Sequence, residues 1–294
     1  YWDNYLQKLA STERGNILKA TIDLLAQDSD QLLESIKDVR KVRIIDLGVG
    51  NGLAVEKFIQ TLEATGKLET YIGVDTSKNL LDKTASNINM WTRGSISIKT
   101  YERDFTCERF HDLLAHADDT LNIVLLLGGT VGNFREPKKA LQNIRESMGG
   151  DDILVATNKL DSQIARKFFD FSTKDDQSEL SFHSKFMLSL LSIKEDYYRV
   201  EQFFDKERKA RFIQVSLKFN VCIHFKTDSG DKSVKITKGS SILLLRMWEW
   251  SDLEMMSMLH ETSFSQQRMI KTSDNEYILL VAKTETAKEW GPAT

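Results

Sequence analysis

The sequence predicts an α/β protein with a doubly wound, mostly parallel sheet, preceded by a helical cap and interrupted by an α+β insert. Between residues 41 and 160, short apolar runs alternate with amphipathic helical segments, a pattern typical of parallel strands joined by crossover helices. The first apolar run leads directly into a glycine-rich turn, and open α/β sheets bind their ligands at that position. After residue 160 the alternation stops, which indicates a differently built segment.

Composition and charge restrict the kinds of partner that this chain is expected to bind. The 294 residues are 41% hydrophobic and 28% charged and include only two prolines, values typical of a globular protein. Forty Lys and Arg oppose 43 Asp and Glu, a formal charge of −3 with both signs interspersed. Neither a nucleic-acid nor a membrane surface is therefore predicted, and the expected partner is a small molecule. No apolar run approaches the roughly 18 residues that span a bilayer. The oligomeric state stays open.

Cysteine and histidine usage argues against cross-links and metals. Cys107 and Cys222 are far apart and have no second Cys nearby, so we expect a reducing, cytoplasmic setting. Because the chain begins with Tyr1 rather than Met, a removed targeting segment stays open. No metal site is predicted, because the histidines show no paired metal-ligand spacing. They are His111, His116, His183, His224 and His260.

The predicted core spans residues 41–160 and follows a cap of amphipathic helices over residues 1–40, a possible lid. Its expected strands are Val42–Leu47, Thr70–Val74, Ser95–Tyr101, Leu121–Leu127 and Asp152–Thr157. Its expected helices are Ala54–Ala64, Lys78–Met90, Phe110–Ala115 and Pro137–Ser147.

Residues 161–248 are predicted to form the inserted α+β domain. A helical stretch extends from its start to Leu191, and the alternation within Arg211–Phe225 predicts antiparallel strands.

Residues 249–290 are predicted to return to the core. Ser251 as N-cap, with Glu254 three residues later, predicts one more helix. The apolar run Tyr277–Ala282 is expected to be the last strand.

The first predicted strand leads into Gly48-Val49-Gly50-Asn51-Gly52. Glycines at the carboxyl end of a strand let the backbone approach a ligand closely, although the same residues could make only a tight strand-to-helix turn. The dinucleotide-binding fingerprint needs a small residue where Leu53 stands, so a nicotinamide-dependent dehydrogenase is expected only if Leu53 is tolerated. The spacing G-x-G-x-G instead matches S-adenosylmethionine-dependent methyltransferases.

Two acidic positions after later strands fit the rest of a nucleotide cofactor. Asp75 follows the second predicted strand, where a carboxylate can accept both hydroxyls of a ribose. Asp104 and Phe105 follow the third, where Asp104 can accept from an adenine amine and Phe105 can cover the ring. The alternatives are a surface Asp at a strand end and an ordinary loop Asp.

The most specific segment is Leu125-Leu126-Leu127-Gly128-Gly129-Thr130-Val131-Gly132-Asn133-Phe134. A buried strand here ends in a glycine-rich turn that carries the hydroxyl of Thr130 and the amide of Asn133. A transferred methyl group should face its acceptor at this position. The alternatives are that Thr130 forms the turn and that Asn133 caps the helix starting near Pro137.

Together these residues resemble the histidine-specific, S-adenosylmethionine-dependent methyltransferase family of ergothioneine biosynthesis, whose members N-methylate the α-amine of an amino acid. The similar segments are Thr12–Leu18 (amino-terminal arm), Asp46–Gly52 (glycine motif), Asp104-Phe105 (adenine motif) and Gly128–Phe134 (the G-S-T-I-G-N-F signature). The resemblance implies a class I methyltransferase, Rossmann-like core, a substrate domain in the insert, and S-adenosyl-L-methionine as cofactor with S-adenosyl-L-homocysteine as product. The expected cofactor-binding residues are Asp46, Gly48, Gly50, Gly52, Asp75, Asp104, Phe105, Gly128 and Thr130.

The substrate motif departs from the family pattern. Where the family has T-E-x-S, this chain has Leu244-Leu245-Arg246-Met247, so Leu245 and Met247 replace the Glu and Ser that hold the histidine imidazole. A buried imidazole left unpaired costs roughly 1–3 kcal/mol, about tenfold to over a hundredfold in affinity. We therefore expect N-methylation of a small-molecule amine, in an amino acid or derivative with an apolar or aromatic side chain. The alternatives are L-histidine Nα-methylation and a catalytically silent interaction protein that binds the cofactor.

Methyl transfer from a sulfonium needs alignment more than an activated residue, and near-attack geometry can supply roughly 7–11 kcal/mol. The attacking amine must be neutral, so a polar group has to orient it and accept its proton, directly or through water. By the resemblance, Asn133 faces the amino-acid end of the substrate. The expected catalytic residues are Asn133, Tyr197 and Tyr198, and the expected substrate contacts are Tyr5, Asn133, Leu245 and Met247. Each tyrosine is alternatively a packing or surface residue.

Overall fold

The computed structural model describes residues 2–12, 16–115, 117, 119–162, 180–205, 207–227 and 229–285. The chain divides into two compact units, residues 1–162 with 250–294 and residues 163–249. The glycine-rich turns belong to the first unit. No helix in the described ranges is long and apolar enough to cross a membrane.

Helices and strands alternate along most of the first unit, whereas in the second unit a helix is followed by a run of strands. In chain order, the helices are α1 (Trp2–Ser11), α2 (Ile17–Ser35), α3 (Glu56–Ala64), α4 (Lys78–Thr92), α5 (Pro137–Ser147), α6 (Phe182–Leu190) and α7 (Asp252–Glu261). The strands are β1 (Lys41–Leu47), β2 (Leu68–Asp75), β3 (Ser97–Glu102), β4 (Thr120–Leu126), β5 (Ile153–Lys159), β6 (Tyr198–Asp205), β7 (Ala210–Leu217), β8 (Val221–Thr227), β9 (Gly230–Ile236), β10 (Ser241–Trp248), β11 (Phe264–Lys271) and β12 (Tyr277–Thr284).

The first unit is built on a seven-stranded sheet with the order β11-β12-β5-β4-β1-β2-β3. Strands β1 to β5 pair in parallel, and β12 pairs antiparallel with β5 and β11. Strand β4 is buried from Leu121 to Leu126, because apolar clusters cover the sheet on both faces. One cluster includes Ile59 of α3 and the other Ile144 of α5. The predicted doubly wound, mostly parallel sheet is confirmed.

Helices α5 and α7 begin where their local sequence signals lie. Helix α5 covers the predicted range Pro137–Ser147, with Pro in its first turn, where a missing backbone N–H costs nothing. Before α7, the Ser251 side chain accepts from the N–H of Glu254, and the Glu254 carboxylate accepts from the N–H of Ser251 at 2.9 Å. This reciprocal capping box confirms the helix predicted there.

The helix predicted over Phe110–Ala115 is wrong, because this segment forms only one 3-10 turn, His111–Leu113. Asn122 of β4 binds both the N–H and the carbonyl oxygen of Ala115, at 3.1 and 2.8 Å. Those bonds satisfy the backbone outside a helix, and the fully buried ring of Phe110 anchors the segment by packing. The stretch is also much shorter than the roughly 12–15 residues at which isolated helices become stable.

Strand β11 is an edge strand that the apolar pattern does not predict. Most of its side chains are polar and partly or fully exposed, and among the described strands it pairs only with β12. Polar and charged side chains at an edge discourage pairing with other chains. Arg268 of β11 joins the strand to α2 through two hydrogen bonds to the buried Asp28, at 2.9 and 2.8 Å.

The second unit contains α6, a three-stranded antiparallel sheet in the order β10-β7-β6, and a hairpin of β8 and β9. The antiparallel strands predicted within Arg211–Phe225 are β7 and β8, but they belong to different sheets. Helix α6 matches the end of the helical stretch predicted up to Leu191, and residues 163–179 lie outside the described part of the chain. Strand β6 is not predicted from the sequence pattern.

Candidate functional site

The turn Gly48–Gly52 leaves β1 at the carboxyl edge of the parallel strands. Gly48 and Gly50 have φ angles of 76° and 57°, which glycine adopts without the strain that a side chain would add. A Cβ on Gly48 would lie 3.4 Å from Cγ2 of Thr130 and 3.7 Å from the ring of Phe105. The backbone of this turn is therefore in close contact with two other predicted cofactor-binding residues.

Helix α1 lies against the same turn. A Cβ on Gly50 would lie 3.0 Å from Cδ1 of Leu6. The amide of Asn51, 2% exposed, donates to Asp3 at 3.0 Å. The helical cap thus contacts the glycine turn directly. Tyr5, the cap residue predicted to contact substrate, also belongs to α1, but its side chain lies outside the described part of the structure.

Gly52 shows why the third glycine precedes Leu53. A Cβ on Gly52 would lie 3.2 Å from Cγ2 of Thr84 and 3.6 Å from the ring of Trp91, both in α4. The turn meets the helix at position 52, so the small residue is needed there. Leu53 is partly exposed and begins a 3-10 turn. This packing fits the G-x-G-x-G spacing and not the dinucleotide fingerprint.

Asp46 and Tyr71 form a buried pair beside the turn. Asp46 of β1 is 3% exposed, and the fully buried Tyr71 of β2 donates its hydroxyl to Asp46 Oδ2 at 2.6 Å. Burial raises the pKa of Asp46 to about 7, against the lowering effect of the Tyr71 hydrogen bond, and the charge of Asp75 raises it further. Tyr71 is not among the residues predicted from the sequence, where its only signal is a phenol in the buried part of a strand.

Asp75 ends β2, next to the glycine turn. Its Oδ1 accepts from the N–H of Ser77 at 2.9 Å. Burial raises the pKa of Asp75, while hydrogen bonds from the backbone N–H groups of Ser77, Thr76 and Gly50 lower it. The side chain is only partly buried, and a carboxylate at this edge can accept the hydroxyls of a ribose.

Asp104 and Phe105 lie in a tight loop after β3. Oδ1 of Asp104 accepts from the hydroxyl of Thr106 at 2.6 Å and from its N–H at 3.0 Å, and these bonds lower the pKa of Asp104. Phe105, 6% exposed, packs edge to face on Phe134 with ring centroids 5.9 Å apart. Asn143 of α5 donates to the carbonyl oxygen of Phe105 at 2.9 Å. Asn143, which is not predicted from the sequence, therefore holds this loop.

The turn at Gly128 and Gly129 is held by β5. The N–H of Gly128 donates to Oγ1 of Thr157 at 2.9 Å, and the N–H of Gly129 to the carbonyl oxygen of Thr157 at 3.0 Å. Thr157 Oγ1 lies 3.0 Å from the hydroxyl of the equally buried Thr21 in α2. Thr130 donates its hydroxyl to the carbonyl oxygen three residues earlier at 2.6 Å, so its turn-forming alternative is observed. A Cβ on Gly128 would meet no described atom within 4 Å.

Asn133 ends the 3-10 helix Thr130–Asn133 and is exposed. The N-cap of α5 is Glu136, whose side chain makes no capping hydrogen bond. The capping alternative for Asn133 is therefore wrong. Among the described residues, no hydrogen bond occupies its amide, which leaves the amide available for a ligand.

The other four predicted site residues lie in the second unit. Tyr198, 6% exposed, packs in the apolar core of that unit, and burial raises its pKa. The partly buried Tyr197 packs edge to face on Phe219 with ring centroids 5.6 Å apart. Leu245, 41% exposed, and Met247, partly buried, lie on β10. The burial of Tyr198 fits its packing alternative, and its catalytic role stays a prediction.

The groups of the first unit suit the parts of S-adenosylmethionine. The carboxylate of Asp46 suits the α-ammonium group at the amino-acid end, the carboxylate of Asp75 suits a ribose, and Asp104 with Phe105 suits an adenine. The glycine backbone leaves room for close approach between them. Among the described residues, no group of three or more His, Cys, Asp or Glu could hold a metal ion.

A seven-stranded sheet with these turns at its carboxyl edge is the Rossmann-like fold of class I S-adenosylmethionine-dependent methyltransferases. The chain belongs to the family described as histidine-specific, S-adenosylmethionine-dependent methyltransferases, whose model matches residues 17–284. The protein is therefore a methyltransferase that uses S-adenosylmethionine, as the resemblance implied. The nicotinamide-dependent alternative is wrong.

Solved structures show the same fold. An S-adenosylmethionine-dependent methyltransferase from Clostridium acetobutylicum ATCC 824 is 10% identical, with a TM-score of 0.52 over 96% of this chain and 97% of that one. The CurJ carbon methyltransferase is 11% identical, with a TM-score of 0.51 over 90% of this chain and 54% of that one. No curated protein matches the sequence significantly.

Proposed function

We propose that this methyltransferase acts on the amine of a small molecule, an amino acid or derivative with an apolar or aromatic side chain. The observation that carries the proposal is the apolar character of Leu245 and Met247, at the positions where the family pattern has the Glu and Ser that hold an imidazole. Apolar side chains cannot pair the polar nitrogens of that ring, and each unpaired buried group weakens binding.

Exposed apolar surface in the second unit supports the same proposal. Phe203, Leu243 and Leu245, all in the β10-β7-β6 sheet, are 40%, 46% and 41% exposed. The ring of Phe203 stacks on Phe212 with centroids 5.3 Å apart. Because Phe203 pairs with Phe212 and Leu245 pairs with the next residue, Ile213, the two exposed side chains lie on opposite faces of the sheet. Leu245 is therefore the side chain that would contact an apolar or aromatic side chain of the acceptor.

The chemistry asks the protein to hold and orient two molecules. When bound, S-adenosylmethionine supplies a methyl group already activated by a positively charged sulfur. Asp46, Asp75 and Asp104 would bind the amino-acid end, the ribose and the adenine respectively, and the glycine turns would let the backbone approach the cofactor closely. The amide of Asn133 would orient the acceptor, because alignment of the reacting atoms accounts for much of the acceleration.

The acceptor amine must be neutral to attack. As its new bond to the methyl carbon forms, the electron pair of the broken carbon–sulfur bond stays on sulfur, and the nitrogen then loses a proton. A hydroxyl or carboxylate can take that proton directly or through water. Tyr197 is the better of the two tyrosine candidates, because Tyr198 is buried in an apolar core.

Since Cys107 and Cys222 are both free and exposed, we place the enzyme in the reducing cytoplasm.

The test is to incubate the protein with S-adenosylmethionine and a pool of amino acids and biogenic amines, and to detect methylated products and S-adenosylhomocysteine by mass spectrometry. Methylation of an apolar or aromatic amine is the expected outcome. Cofactor consumption without a product in the pool would indicate a larger acceptor. No consumption with any amine would favour the catalytically silent alternative.

L-Histidine is the second candidate acceptor, because the description of the matching family is histidine-specific. Methylated histidine as the main product of the same experiment would overturn the role proposed for Leu245 and Met247.

A further inference from the structure

Tyr71 is one of the largest fully buried side chains among the described residues, and its hydroxyl donates a hydrogen bond to the carboxylate of Asp46. The ring packs in the apolar cluster that also contains Ile44. Tyr71 is in register with Ile44, and Ile44 and Asp46 share a face of β1 because side chains alternate along a strand. The hydroxyl therefore reaches along the strand to Asp46 Oδ2, at 2.6 Å.

Gly73 leaves space for the Tyr71 side chain to extend to the Asp46 carboxylate. It pairs with Asp46 across β1 and β2, so a side chain there would stand beside the carboxylate. A Cβ on Gly73 would lie 3.6 Å from Cε1 of Tyr71 and 3.0 Å from Cγ1 of Val49. The local sequence thus gives Tyr71 free access to Asp46.

A buried carboxylate without a cation is costly unless it is hydrogen-bonded. Within the described part of the chain, the groups around Asp46 supply one hydrogen-bond donor and no positive charge. Strand β2 contributes Tyr71 and the like-charged Asp75, and β4, the other neighbour of β1, carries no ionisable residue between Thr120 and Leu126. Asp3 of α1 is bonded to Asn51. The carboxylate at the end of β1 is therefore suited to a cationic ligand group.

We propose that Tyr71 is a positioning residue that keeps the Asp46 carboxylate ionised and oriented for the α-ammonium group at the amino-acid end of the cofactor. This inference rests on the placement of S-adenosylmethionine against Asp46 in the proposed function. Tyr71 acts through Asp46 and need not touch the cofactor itself.

The experiment measures the affinity for S-adenosylhomocysteine by calorimetry from pH 5.5 to 8.5, which requires no known acceptor. In the wild type, the affinity should fall as the pH drops through the pKa of Asp46, about 7. Tyr71→Phe removes a donor to the ionised form, so the pKa should rise. The midpoint of the affinity profile should move up by about one pH unit or more, since a hydrogen bond to a charged group contributes about 1.5–3 kcal/mol. At pH 7 the variant should bind about fivefold more weakly or worse, because a pKa one unit higher leaves about a tenth of the carboxylates ionised instead of about half.

Tyr101→Phe is the matched control, because Tyr101 lies on the neighbouring strand β3 and outside the proposed site. It should leave the midpoint unchanged. If Tyr71→Phe lowers the melting temperature but leaves the midpoint where the wild type has it, Tyr71 is only structural and the inference is wrong.

Asp46→Asn separates this inference from the proposed site. The neutral side chain should weaken binding and make the affinity difference between this variant and wild type largest at high pH. If Asp46→Asn binds S-adenosylhomocysteine as well as wild type at every pH, the placement of the cofactor itself is wrong. If Asp46→Asn weakens binding and Tyr71→Phe does not shift the midpoint, only the role of Tyr71 is wrong.

Discussion

The carboxyl edge of the first unit's sheet and strand β10 of the second unit differ in how firmly their residues are held. At the edge, Asp46 is 3% exposed and bonded to a neighbouring strand, and the turn at Gly128 is bonded to Thr157. On β10, by contrast, Leu243 and Leu245 are 46% and 41% exposed. Asp46 and Gly128 are therefore held by other strands, whereas Leu245 is exposed, so we expect its replacement to disturb the fold less.

The largest expected effect comes from Asp75→Ala, which tests the proposed cofactor site at the carboxyl edge of the first unit's sheet. The substitution removes the proposed ribose contacts, and two hydrogen bonds to a charged group justify a loss of about a hundredfold or more in affinity for S-adenosylhomocysteine. Calorimetry measures this directly. Asp82→Ala, which removes an exposed Asp of α4 that pairs with Lys78, is the control and should bind normally. Unchanged affinity of Asp75→Ala would remove the ribose assignment.

The next largest effect is expected on β10, where the proposed acceptor residues lie. Combining Leu245→Glu with Met247→Ser restores the family pattern, and should raise the turnover of histidine relative to an apolar amino acid by about tenfold to a hundredfold. Competition between the two amino acids, read by mass spectrometry, gives the ratio. Each single substitution should give a smaller change. A double variant with the wild-type preference would show that β10 does not select the acceptor.

Asn133→Ala should lower turnover about tenfold while affinity for S-adenosylhomocysteine stays within about twofold, because a single neutral hydrogen bond to the acceptor is lost. Steady-state rates and calorimetry separate the two quantities. Glu136→Ala, at the true N-cap of α5, is the neighbouring control and should keep full turnover. Equal turnover in both variants would return Asn133 to a purely structural role in the turn.

The smallest effect is on stability. Burial raises the pKa of Asp46 from 3.8 to about 7, so the unfolded state loses its proton first and this group's contribution to stability is lost as the pH rises from 3.8 through about 7. Asp46→Asn should therefore stabilise the cofactor-free protein more at pH 8 than at pH 5, by about 1 kcal/mol or more. Urea unfolding at the two pH values measures the difference. An equal change in the free energy of unfolding at both pH values would mean that folding does not raise the pKa of Asp46.

The parts of the fold that were predicted correctly from the sequence have local causes. Proline in the first turn and the capping box begin α5 and α7 through residues within one helical turn. The parallel strands are long apolar runs because both faces of the sheet are covered. The wrong helix over Phe110–Ala115 and the missed β11 depend on contacts with other elements, namely the side chain of Asn122 in β4 and the strand β12.

The candidate site divides in the same way. Glycine spacing at residues 48–52 and acids at strand ends are visible in the sequence, since strand order brings the carboxyl ends of parallel strands to one edge. The partners that fix these groups are not visible. Asn143 and Thr157 act through side chains that reach another element, and no periodicity in the chain marks such residues.

The sequence by itself determined the class of fold, the glycine turns and the family, because these depend on residue type and local spacing. Only the tertiary structure decided that Asn133 does not cap α5, that Tyr198 is buried in a core, and that Tyr71 is bonded to Asp46. The physical reason is that burial and hydrogen bonding between distant residues arise only when strands pair and helices pack, and those same contacts set the pKa of Asp46.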